Sequence, residues 1–362
     1  MNKKAVRTGL FLLILTAAAV FSWYSGTPQR RRYSARGLHA ALPKFRTEDV
    51  AKITVSWRND RTTMVLKNGR WVLVERGDRP ASVPRISQLL NSLSSLAPVK
   101  ELQNPSEETL RELHLADNDP KQVPGVRVEL ADASGKVLFS MLLGRGHFVR
   151  PEPGMPPPQD AEGRYVLIGG KVYLIPVVFE HCHPVPAAWV EPLRLNDLRK
   201  ALRMSVQRFD AEGKGKPVWT VYRKSTAHPF TMVWPAGKTA ENLLLSDLAE
   251  RLSRPFTGDY YHPETPRKIQ VRQRLKISCS DGFVYVLDLA DGTAEYDVVS
   301  LTVQFDPKQV LRFPGETDEQ YRYRCAELQK RLDFERGYSA GQVFKTSKEL
   351  SRLLDTVPEK TR

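Results

Sequence analysis

The sequence predicts an α+β protein: two related modules, each an antiparallel β-meander packed with an amphipathic helix, preceded by an N-terminal transmembrane helix. Three observations carry that expectation. Residues 50–175 set short alternating apolar runs around a leucine-faced helix, and residues 204–305 repeat the same order less regularly, as expected of one supersecondary unit used twice. Two-residue turn signals join the alternating runs, which makes the sheets antiparallel. An uncharged apolar run, Leu10 to Phe21, stands ahead of both.

That leading run is preceded by Lys3, Lys4 and Arg7, and no charge occurs from Thr8 through Gln29. Residues 1–25 read either as a secretory signal or as a membrane anchor. Ala17 and Ala19 offer a small-x-small cleavage site, whereas Trp23 and Tyr24 stand where interfacial aromatics hold a retained segment, and a retained anchor is the favoured reading. Residues 26–46 have no apolar period and read as a basic tether. The expected location is single-pass in the cytoplasmic (inner) membrane with a periplasmic body, since a short basic segment before an apolar core is what export machinery reads. The excess of Lys and Arg after the run argues the other way.

The chain has 362 residues, 41% of them hydrophobic and 27% charged, which is the make-up of a globular protein. Its net charge of +14 is concentrated at one end. Nine basic residues and no acidic one occur before Thr47, and removing these nine leaves 46 basic against 41 acidic residues, or +5 over residues 47–362. The charge is therefore no nucleic-acid footprint, and no nucleic-acid partner is expected.

The first module is placed at residues 47–192. Ile53, Val55 and Trp57 alternate, Asn59 and Asp60 turn the chain, Met64 and Leu66 alternate again, and Asn68-Gly69 leads into Trp71 and Leu73. Behind Pro84, Ile86, Leu89, Leu90, Leu93 and Leu96 recur at helical spacing. A short helix over Glu107 to Leu115 follows. Val126, Val128 and Leu130, then Val137, Phe139 and Met141, form a hairpin that Gly144-Arg145-Gly146 ends; Pro151 to Pro158 is a loop, and Gly169-Gly170 closes the last hairpin.

The second module is placed at residues 193–312. A helix is expected over Leu193 to Met204, then strands at Val206, at Trp219 to Tyr222 and at Phe230 to Trp234, and a helix carrying Leu244, Leu245, Leu248 and Leu252. Asp281-Gly282 and Asp291-Gly292 mark the later turns. Residues 313–362 read as C-terminal helices, the first opened by the Thr317/Gln320 capping box with a stripe of Tyr321, Cys325, Leu328 and Leu332, the second starting at Thr346 with Glu349 as its box partner.

No catalytic, cofactor-binding or metal-binding residue is assigned. His181 and His183 flank Cys182 and, on an extended segment, point to one side, but two imidazoles do not make a metal site. Gly144-Arg145-Gly146 and Gly169-Gly170 lack the lysine and following helix of a phosphate loop. Glu107-Glu108 and Asp318-Glu319 open helices, where they complement the dipole. Cys182, Cys279 and Cys325 are too few for a disulfide framework.

Val50 to Val55 (VAKITV), the NGRWVL hairpin at Asn68 to Leu73, the helix ending Leu93-Ser-Ser-Leu96, and Asn196 to Lys200 leading into Val206 together resemble domain-of-unknown-function family 4340 (DUF4340) over about residues 50–300. That resemblance implies a single-span extracytoplasmic protein related to auxiliary components of ABC-type transport systems, including those of gliding motility, with no catalytic residues to carry over. The expected function is a non-catalytic, membrane-anchored accessory or scaffold whose partners are the membrane and a transport complex. The competing expectation is a cell-envelope ligand-binding protein or hydrolase with its site between the two modules.

Overall fold

Period-two alternation and tight glycine turns build most of this protein. The computed structural model describes residues 42–116, 124–148, 161–195, 197–261 and 269–359. Nine strands make the first sheet: β1 (Lys52–Trp57), β2 (Asp60–Lys67), β3 (Arg70–Leu73), β4 (Arg79–Pro80), β5 (Lys100–Leu102), β6 (Val126–Ala131), β7 (Val137–His147), β8 (Gly163–Ile168) and β9 (Lys171–Ile175). Their order is β4-β3-β2-β1-β6-β7-β8-β9-β5. Eight more make the second sheet: β10 (Ala201–Phe209), β11 (Gly215–Tyr222), β12 (Thr231–Trp234), β13 (Thr257–Tyr260), β14 (Val271–Cys279), β15 (Asp281–Asp291), β16 (Tyr296–Val310) and β17 (Val343–Ser347). Their order is β12-β11-β10-β14-β15-β16-β17-β13.

The two sheets share one plan. Each opens with a three-stranded meander, passes through a helix to a strand at the far edge, and returns to lay four strands beginning beside the first. The helix is α1 (Val83–Ser94) in the first half and α3 (Asn242–Ser253) in the second; α2 (Glu107–Glu112) has no counterpart. The halves part company at their last hairpin. Gly169 and Gly170, both at positive φ, join β8 to β9 in two residues, whereas the equivalent β16 and β17 are separated by a 22-residue helix, α4 (Asp318–Ser339). A final helix, α5 (Lys348–Asp355), follows β17.

Each sheet buries one face. Ile53, Met64, Leu130 and Phe139 meet Ile86, Leu89, Leu90 and Leu93 of α1, and Met204, Val221, Ile277 and Tyr285 meet Leu245, Leu248 and Leu252 of α3, all in one continuous core. Trp189, Val190, Leu193 and Leu195 of the connector lie in that same core. Trp219 is almost wholly buried and its indole Nε1 donates to the carbonyl of Leu354 at 2.9 Å, tying α5 to the second sheet. A smaller cluster of Leu115, Leu142 and Val172 fills the space under α2.

Polar contacts lock the halves where β4 and β13 meet. The Arg76 guanidinium grips Asp259 through Nε at 2.8 Å and Nη2 at 2.5 Å, Arg79 Nη1 donates to the Tyr261 carbonyl at 2.9 Å, and the Tyr260 hydroxyl donates to the Pro80 carbonyl at 2.8 Å.

The expected fold class is corrected. The α+β reading with its N-terminal transmembrane helix overstates the helices: the body is mostly antiparallel β-sheet, because the helices cover one face of sheets that carry the bulk of the chain. Leu10 to Phe21 lies outside the described residues, as does the Pro151 to Pro158 loop, and among the described residues no helix is long and apolar enough to cross a membrane. The transmembrane helix therefore has no structural support.

Three local expectations also change. Leu193 to Met204 is not one helix: Asp197 takes a left-handed conformation, a single 3-10 turn spans Leu198–Lys200, and β10 begins at Ala201 because pairing with β11 and β14 outweighs helix propensity. Gly144-Arg145-Gly146 does not end its strand but lies within β7. A Cβ on Gly144 would stand 2.3 Å from the Leu113 carbonyl, so glycine is what lets the tail of α2 approach and bond Arg145 N–H to Leu113 O at 2.8 Å. Thr346 belongs to β17, and the last helix is capped instead by Ser347, whose hydroxyl accepts from the Glu349 N–H at 3.1 Å.

Candidate functional site

The groups that carry chemistry are dispersed or already partnered. His181 and His183 are exposed on either side of buried Cys182, and their backbones close a tight turn, with His183 N–H donating to His181 O at 3.0 Å. Burial raises the Cys182 thiol to about 12, against a smaller opposing pull from Arg164; burial and nearby Asp281 raise Cys279 likewise to about 12. Both thiols stay protonated across the physiological range. All three cysteines are free, and among the described residues no group of three or more His, Cys, Asp or Glu side chains is placed to hold a metal ion. Glu107-Glu108 and Asp318-Glu319 lie in the first turns of α2 and α4 as expected.

Two ionic clusters lie in the second half. Arg331 of α4 stacks over Phe283 at 4.4 Å, donates to Glu335 Oε1 and the Tyr285 hydroxyl at 2.7 Å each, and stands 3.5 Å from Asp281, which Lys200 approaches to 3.3 Å. Burial alone would lower the Arg331 pKa, but Tyr285, Glu335 and Asp281 outweigh it and raise the pKa, so the guanidinium stays charged; the Tyr285 hydroxyl is pushed up by burial and by Glu335. Such a network pins α4 to the sheet. In the other cluster, fully buried Asp297 meets Arg272 at 3.5 Å and Lys348 at 3.3 Å, while Arg272 also meets Asp291 at 3.0 Å.

A cavity of about 440 Å³ opens beside that second cluster, lined by Phe209, Tyr261, Ile269, Gln270 and Arg272 among others. Its walls come wholly from the second half. Neither His181 nor His183 reaches it, and the contact between the halves is filled by apolar side chains and the Arg76–Asp259 clamp.

The inserted helix α4 offers a more distinctive surface. The Thr317 hydroxyl accepts from Gln320 N–H while the Gln320 side chain accepts from Thr317 N–H, completing the expected capping box. Leu332, Glu335 and Ser339 are buried, with Cys325 and Leu328 partly so. The opposite face carries Tyr323, Glu327, Lys330 and Phe334, spaced four, three and four apart, with the aromatics 70% and 68% exposed. The two rings are eleven positions apart, or about 16 Å along the axis. The capping box and the inward stripe were legible in the sequence; Tyr323 and Phe334 were not, although their spacing opposite that stripe was the signal that would have found them.

Comparison with known protein families, with curated proteins and with solved structures finds no match to this chain.

Proposed function

We propose that the chain is a cell-envelope accessory protein, tethered to the membrane through its apolar leader, whose extracytoplasmic body contacts a membrane transport assembly of ABC type. One observation carries the reading: a 22-residue helix with two exposed aromatics stands where the other half has a two-residue turn. Large exposed aromatics on a helix pinned from beneath by an ionic network suit contact with another protein, because the rings supply apolar area at low entropic cost on a rigid support. The DUF4340 resemblance supplies the kind of partner. Tethering raises the effective concentration of such a surface near the membrane, so a modest contact suffices. The competing ligand-binding or hydrolytic reading needs a cleft gathering His181, His183 and carboxylates, and the described residues gather none.

The test places a photo-crosslinking residue at position 323 or 334 of the full chain in its native membranes. Recovery of permease-type or associated transport subunits from both positions supports the reading. Capture of no membrane protein, together with turnover of an envelope substrate by the purified chain, reverses it.

A further inference from the structure

One edge of the second sheet is built from a long stretch without acidic residues. From Gly213 to Ala240, 28 residues include Lys214, Lys216, Arg223, Lys224 and Lys238 and not one Asp or Glu. This span forms β11, β12 and their connections, the free edge of the sheet. Register lines its outward side chains into two cross-strand rows, Thr231–Tyr222–Arg203–Ser278 and Trp234–Thr220–Ser205–Lys276. The alternate residues, Met204, Val206, Val221 and Ile277, are buried, so both rows face away from the core; a bulge between Thr220 and Val221 brings Trp234 opposite Thr220, which is itself buried.

Tyr222 is 43% exposed and Trp234 48%, and Arg203 and Lys276 are exposed as well. Three strand spacings, about 14 Å, separate Trp234 from Lys276. On the neighbouring β15, the Asp288 carboxylate is already held by Arg274 at 2.6 Å. At the edge, the Asn242 side chain clips the first turn of α3 to Phe230, accepting from its N–H at 2.8 Å.

We propose that this face lies on the membrane, docked to an anionic phospholipid bilayer. Trp and Tyr are the side chains that settle at the headgroup level, and each nearby Lys or Arg is drawn to an anionic surface by about 1 kcal/mol. Lys238 is paired with Glu359 at 3.1 Å, so the attraction rests on Arg203, Lys224 and Lys276, the cations in and beside the two rows. A polynucleotide is the other polyanion such a face could meet, and it is an outcome of the test below. The inference shares the membrane location with the function proposed above, but it rests on the body's own surface and not on the leader.

The full chain is reconstituted with vesicles of phosphatidylcholine carrying brominated acyl chains, with and without phosphatidylglycerol, and tryptophan emission is compared between the native chain and Trp234→Phe. The difference isolates Trp234 from Trp23, Trp57, Trp71, Trp189 and Trp219. Trp234 is expected to be quenched when phosphatidylglycerol is present. Lys224→Gln combined with Lys276→Gln removes two charges, which lowers the docked-to-undocked ratio about 30-fold. Unquenched Trp234 on both vesicle types, or equal quenching without the anionic lipid, overturns the proposal, as does quenching by a single-stranded oligonucleotide in place of the vesicles. Carbonate extraction of native membranes reports separately on the leader, so failure of the tether and failure of this face are told apart.

Discussion

Replacing Asp259 by Ala removes one jaw of the clamp between the two halves, and its cost follows from the geometry. Arg76 reaches both carboxylate oxygens at 2.5–3.0 Å, with side-chain exposures of only 21% and 14%. Removing one partner of a fully buried pair costs about 3–5 kcal/mol, because the remaining charge is stranded. Solvent still reaches part of this pair and screens it, so about 2–3 kcal/mol is expected here. Asp259 also accepts the Tyr260 N–H at 2.8 Å, a bond the single variant loses as well. A double-mutant cycle with Arg76→Leu separates the two effects: the coupling energy belongs to the clamp alone, and the doubly substituted chain should recover a large part of the loss. The measurement is urea unfolding followed by circular dichroism and by tryptophan fluorescence. Because one core spans both sheets, the two probes should move together in a single transition. A coupling below about 0.5 kcal/mol, or two separated transitions in the native chain, would refute the reasoning.

Buried thiols make stability sensitive to alkali. The unfolded chain deprotonates Cys182 and Cys279 near their ordinary value of 9.0, whereas the folded chain holds them protonated to about 12. Their contribution is therefore intact below pH 9 and is lost as pH rises towards 12, by up to about 4 kcal/mol for each thiol; Cys182→Ala with Cys279→Ala should flatten the alkaline limb of a stability–pH curve. A thiol-reactive dye at neutral pH should titrate Cys325 alone in the native chain and all three cysteines in denaturant, and rapid native labelling of Cys182 would show that its burial is misjudged. Gly282 sits at φ +81, and a Cβ there would stand 2.5 Å from the Asp306 carbonyl, so Gly282→Ala should cost about 2–4 kcal/mol in the same urea assay. An unchanged midpoint would mean that the β15–β16 bulge relaxes freely.

Local structure was legible wherever the cause is local. Asn68-Gly69 and Gly169-Gly170 do turn their hairpins at positive φ, Leu89, Leu90 and Leu93 of α1 and Leu245, Leu248 and Leu252 of α3 do face the core while Leu244 is exposed, and the Thr317/Gln320 box does open α4. Each of these depends on a few adjacent residues whose backbone preferences or spacing the sequence displays directly. Leu193 to Met204 misled for the converse reason. Its composition suits a helix, and only the strands on either side of β10 make it extended.

By itself, then, the amino-acid order determined the hairpins, the helix faces, the concentration of charge at one end and the repeated succession of elements. Tertiary structure decided what those pieces become. β17 joins the second sheet across the whole of α4, the clamp unites residues 183 positions apart, and the rows that set Trp234 and Tyr222 beside Arg203 and Lys276 exist only once four strands are in register. The physical reason is that a strand's edge bonds and a cation's partner can come from any distance along the chain, and the choice among them is made by burial of a common core rather than by neighbouring residues.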